Sequence, residues 1–96
     1  MRKRYDYLIV GSGLMGSTFA HLARLAGKRC LVVERREHTG GNVHCTQMEG
    51  INVHQYGAHI LHTSDERAWS FVNHLVPCNR YTNSPVANWR GQLYNL

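Results

Sequence analysis

Apolar residues come in short bursts along this chain, and a glycine or a polar cluster ends each burst. Asp6 to Val10 (DYLIV) is rich in Tyr, Leu, Ile and Val and stops at Gly11, the pattern of a strand buried on both faces of a parallel sheet. From Leu14 to Ala26 the period changes. Met15, Phe19, Leu22, Ala23 and Ala26 recur at three- and four-residue spacing, which predicts a helix with one buried stripe, stopped by Gly27. Arg29 to Glu34 (RCLVVE) returns to a short β-rich run. Strand, helix and strand in that order predict a βαβ unit over residues 5–34 with a right-handed crossover. The fold class is therefore α/β, Rossmann-like.

Beyond Glu34 the periodicity weakens. Residues 35–50 hold Gly40, Gly41, Asn42 and Gly50 among polar groups and read as a long loop, which is uncommon unless it is functional. Within residues 51–63, Ile51 to His54 and His59 to His62 read as short extended pieces broken at Gly57. Thr63 to Glu66 (TSDE) resembles a capping box opened by Thr63. A helix over residues 64–76 follows, burying Trp69, Val72, Leu75 and Val76, and Pro77 prevents it from continuing. Residues 79–96 predict a C-terminal β-hairpin, with Val86 to Trp89 and Gln92 to Leu96 flanking a turn at Arg90 and Gly91.

Composition narrows the class without choosing a function. With 43% hydrophobic and 18% charged residues in 96, the chain reads as one globular domain with a small core. A net charge of +5 would suit a nucleic acid, a lipid surface or a phosphorylated ligand, but the basic residues are scattered without interleaved aromatics. Nucleic-acid binding is not expected. The three cysteines have no CxxC spacing, so neither a disulfide framework nor a zinc site is predicted. His54, His59 and His62 lack a helical HxxxH context, and no metal site is expected from them. The apolar run at Tyr7 to Val10 is too short for a membrane span or a signal-peptide core, which points to the cytoplasm.

The first chemically specific feature is Gly11-Ser12-Gly13-Leu14-Met15-Gly16, a GxGxxG between the first strand and the first helix. Gly11 allows a tight turn, Gly13 lets the backbone approach a pyrophosphate, and Gly16 lets helix and sheet pack closely. The helix N-terminus supplies N–H donors and the positive end of its dipole. Glu34 ends the second strand roughly twenty residues on, where a carboxylate accepts from ribose hydroxyls and disfavours a 2′-phosphate.

The segment Arg35 to Asn42 (RREHTGGN) resembles the second glycine-rich element of glutathione-reductase-type flavoproteins, which distinguishes FAD from NAD. Tyr56 to Thr63 (YGAHILHT) and Gly91 to Leu96 (GQLYNL) resemble the histidine loop and a following segment of UDP-galactopyranose mutases, in that family's order. The resemblance covers essentially the whole chain. It implies an incomplete FAD-binding Rossmann domain, a fragment of an enzyme that interconverts UDP-galactopyranose and UDP-galactofuranose with reduced FAD as the nucleophile. Gly11, Gly13, Leu14, Met15, Gly16, Glu34, Arg35, Gly41, Asn42, His59 and Ile60 would then hold FAD, with His59 also catalytic beside the flavin's reactive edge. The residues that grip UDP-galactose lie beyond Leu96 in family members, so the sugar nucleotide is a partner of the full-length protein alone. A flavin-dependent amine oxidase or desaturase and a non-catalytic nucleotide-binding module remain the alternatives. Apolar strands with open edges predict that the chain self-associates.

Overall fold

The computed structural model describes residues 3–96, which fall into two compact units divided between His59 and Ile60. In the first, β1 (Tyr7–Val10) pairs in parallel with β2 (Cys30–Val33), Tyr7 opposite Cys30 and Val10 opposite Val33. The crossover between them is α1 (Leu14–Leu25). Its C-terminus is closed by a pair of nested hydrogen bonds, Gly27 N–H to the Arg24 carbonyl and Lys28 N–H to the Ala23 carbonyl, both 2.9 Å. Gly27 makes this possible at φ +75°, a left-handed conformation that side chains resist. At the start of β2, Arg29 N–H donates to the Asp6 carboxylate at 2.7 Å, so the two strand beginnings are tied by a side chain as well as by the ladder.

The helix rests on the sheet through an edge-to-face contact between Phe19 and Tyr7, ring centroids 5.1 Å apart. This layer is thin. Two paired strands under one helix cannot enclose side chains on both faces, and β1 is not the doubly covered strand its composition predicts: Leu8 is 65% and Val10 82% exposed. The predicted buried stripe of α1 is likewise half open, with Phe19 and Leu22 exposed. Among the described residues no hydrophobic side chain is buried, so the small core expected from composition is absent; Ser12, at 5% exposure, is the buried polar residue.

Residues 35–50 are not a loop throughout. A 3-10 turn (Gly41–Val43) leads into β3 (Cys45–Met48), which pairs antiparallel with β4 (Ile51–His54), Cys45 opposite His54 and Met48 opposite Ile51. The connecting pair Glu49 and Gly50 has φ of +51° and +78°, the left-handed pair that matches strand twist in two-residue hairpins.

The second unit opens on α2 (Glu66–Leu75). Its N-cap is Asp65 rather than Thr63: the Asp65 carboxylate accepts from the N–H groups of Arg67 and Ala68 at 2.8 and 3.3 Å, while Thr63 Oγ1 accepts from Asp65 N–H one step earlier. A carboxylate is a stronger acceptor than a hydroxyl and suits the positive helix end. Trp69, Leu75 and Val76 are exposed, against the expectation that this face is buried. Residues 59–62 form no strand. A second hairpin joins β5 (Val86–Trp89) to β6 (Gln92–Asn95) through Arg90 and Gly91, at φ +51° and +83°. No helix among the described residues is long and apolar enough to cross a membrane.

Candidate dinucleotide site

Gly11 leaves β1 at φ +99° and turns the chain toward α1. A side chain at Gly16 would put its Cβ into the Gly11 carbonyl oxygen and within 3.1 Å of Ile9 Cγ2, so the close fit of helix start to strand end requires glycine there. The N-terminus of α1 is capped by Gly13, with no side-chain acceptor and no acidic residue in the first turn. Ser17 N–H makes the first hydrogen bond back to the Gly13 carbonyl, at 2.9 Å. The preceding N–H groups of that turn therefore point out with the positive end of the helix dipole, an arrangement that receives a phosphate.

Ser12 holds this turn in place. Its N–H and its hydroxyl both donate to Glu34 Oε2 at 2.7 Å, and its carbonyl accepts from Ser17 Oγ at 3.0 Å and Gly40 N–H at 2.9 Å. The other oxygen of Glu34 accepts from the N–H groups of Arg35 and Arg36 at 3.1 and 3.2 Å. Donors converging on the charged form, the Ser12 hydroxyl foremost, lower the Glu34 pKa to about 2. The carboxylate predicted to meet a ribose is thus already engaged at both oxygens, bridging the end of β2 to the glycine turn.

The second glycine element packs directly on the first. Gly40 and Gly41 are both left-handed, at φ +96° and +59°, and a Cβ on Gly41 would come within 2.8 Å of Gly13 Cα. Two backbones this close leave a cavity of about 720 Å³, lined by Gly11, Gly13, Leu14, Met15 and Gly16 of the first element, by Gly40 to Val43 of the second, and by β1 with Phe19. That volume lies in the range of small-ligand sites. Beside it, Arg36 Nη1 donates to Asn42 Oδ1 at 3.1 Å and its guanidinium lies 4.2 Å from the centroid of the Tyr56 ring, whose hydroxyl bonds His38 Nε2 at 2.8 Å. Arg36 rather than Arg35 is the arginine anchored next to the second glycine element.

The site residues expected from sequence are therefore partitioned. Gly11, Gly13, Leu14, Met15, Gly16, Gly41 and Asn42 share one cavity, whereas Glu34 and Arg35 are not among its lining residues. His59 belongs to a separate cluster, its Nε2 lying 3.4 Å from Cys45 Sγ and its ring stacked on His54 at 3.9 Å. Ile60 is exposed and falls in the second unit. The approach of Cys45 to His54 and His59 is not expected from sequence: the histidines lack helical spacing, and the β3 side of the hairpin that pairs Cys45 with His54 reads as loop.

A parallel βαβ unit with two glycine elements closing on one cavity defines a dinucleotide-binding fold. Residues 9–75 match the NAD(P)-binding Rossmann-like domain, and the chain belongs to that family. Among characterised proteins it is 43% identical over 91 residues to a dTDP-fucopyranose mutase of Escherichia coli, covering 93% of this chain and 24% of that protein. It is 35% identical over 93 residues to a probable UDP-galactopyranose mutase of Klebsiella pneumoniae, 95% of this chain and 24% of that one. A UDP-galactopyranose mutase of Mycoplasma genitalium is 37% identical over 79 residues, 80% and 20% respectively. The chain thus spans about a quarter or less of the length of these relatives, all of them sugar-nucleotide mutases.

Proposed function

We propose that this chain is the FAD-binding segment of a UDP-galactopyranose mutase. The observation that carries the reading is the seating of Gly41 on Gly13 with Gly40 N–H on the Ser12 carbonyl, since a second glycine element against the first lengthens the cradle beyond a single phosphate turn. In the proposed complex the α1 N-terminus takes the pyrophosphate. Glu34 meets the adenine ribose by sharing an oxygen with its main-chain donors, and Asn42 with Arg36 borders the second glycine element. FAD, when bound and reduced, would supply the nucleophile of the mutase reaction. His59 would stand on the flavin side and hold or release a proton there.

A second reading differs in the sugar nucleotide, and the 43% identity to a dTDP-fucopyranose mutase favours it. Both readings use the same cofactor cradle. Calorimetric titration of the chain with FAD and with NADPH tests the cradle: FAD is expected to bind, and NADPH binding more tightly than FAD would overturn the assignment, because Glu34 opposes a 2′-phosphate. Turnover of UDP-galactopyranose against dTDP-fucopyranose by the full-length protein then separates the two sugars. Partners follow the same division: the sugar nucleotide belongs to the full-length protein, and the open apolar strands of this chain lead to self-association. We place the protein in the cytoplasm, where its nucleotide ligands are found.

A further inference from the structure

Cys45, His54 and His59 each offer a ligand atom, and these atoms lie within 4.8 Å of one another. We propose that in the flavin-free chain they form a site for a zinc-class divalent ion, outside the lining of the dinucleotide cavity, and that a metal on His59 excludes the flavin-side role proposed above. Two separate devices bring the residues together. The β3–β4 register puts Cys45 directly opposite His54, which places their side chains on one face of the hairpin. The chain then turns back through Gly57, at φ +96°, and His59 N–H donates to His54 Nδ1 at 3.2 Å, which seats the second imidazole over the first.

One thiol and two imidazoles are a donor set that tetrahedral zinc accepts, with a water in the fourth position. His59 Nε2 already faces Cys45 Sγ at 3.4 Å, roughly the separation of two ligands around one such ion. His59 Nδ1 is enclosed without a hydrogen-bond partner, so Nε2 is the nitrogen this ring has fixed in place. His54 must adjust. Its ring lies nearly parallel to that of His59, 16° between planes, and in-plane lone pairs on parallel rings do not meet at one point. His54 is exposed and turns about its side-chain bonds, exchanging the hydrogen bond from His59 N–H for a bond to the metal. Binding deprotonates Cys45, and the thiol proton leaves to solvent.

The test is titration of the 96-residue chain, reduced and free of flavin, with Co(II) as a spectroscopic stand-in for zinc. One equivalent is expected to produce thiolate-to-cobalt charge transfer together with the visible bands of a four-coordinate ion, and added Zn(II) is expected to bleach both. Cys45→Ser should abolish the charge transfer. The double variant Cys30→Ser/Cys78→Ser, which leaves the cluster untouched, should retain it in full. His54→Ala should weaken binding by about tenfold or more. Absence of charge transfer in the unaltered chain overturns the proposal, as does its loss in the double variant or unchanged affinity in His54→Ala.

Discussion

Ser12 gives its main-chain N–H and its hydroxyl to the same oxygen of Glu34, each at 2.7 Å. These bonds require the ionised carboxylate, whose pKa falls from 4.5 to about 2 in the folded chain. A depressed carboxylate pKa stabilises the fold fully above the unfolded value and loses that contribution as pH falls through the folded one. The stability of the unaltered chain relative to Glu34→Gln should therefore be constant above about pH 4.5 and decline between about 4.5 and 2. Urea unfolding followed by circular dichroism across that range checks it, and a difference independent of pH would refute the bridge.

Gly16 and Gly27 make a matched pair for substitution by alanine. At Gly16 the new methyl meets a main-chain oxygen that cannot move without displacing the turn, at a cost of about 1–3 kcal/mol, and FAD binding should be lost with it. At Gly27 nothing lies within 4 Å of the new Cβ, so only the left-handed backbone resists, at about 1 kcal/mol, and binding should be retained. Parallel denaturation and FAD titration of the two variants separate cradle from scaffold.

In the full-length protein, His59→Ala should lower mutase turnover by about tenfold or more while leaving the folded fraction nearly unchanged, if the imidazole manages a proton at the flavin. Activity per folded molecule, measured alongside thermal unfolding, is the readout. Equal specific activity would remove His59 from the reaction.

Leu8 and Val10 present apolar surface beside strands whose outer hydrogen-bonding edges have no partner among the described residues. Light scattering over a concentration series should show mass rising with concentration, and Val10→Lys should suppress the rise. A monomer at every concentration would refute self-association.

The βαβ unit was legible because its cues are local: the Tyr7 to Val10 run, the glycines at their required places, and Gly27 as a stop. Burial was not, because whether Leu8 or Phe19 is covered depends on layers that no single segment encodes. The two hairpins show where the signal thins. Arg90-Gly91 and Glu49-Gly50 adopt similar left-handed turns. Val86 to Trp89 announces a strand, but Cys45 to Met48 (CTQM) carries one β-branched residue and follows a glycine pair, so the first hairpin was hidden. With it went the approach of Cys45 to His54. The cap of α2 was misplaced for another reason: Thr63, Ser64 and Asp65 are all good caps, and only the geometry selects the carboxylate.

The turn at Ser12 also reverses the usual place of rigidity. In most folds the amide protons slowest to exchange with solvent deuterium lie in central strands, shielded by a hydrophobic interior. Here β1 and β2 are open to water, whereas Ser12 N–H is held by a carboxylate and Gly40 N–H by the Ser12 carbonyl. The longest-lived protons should then be those of a turn, and isotope labelling would register the nucleotide cradle before it registered the sheet that carries it.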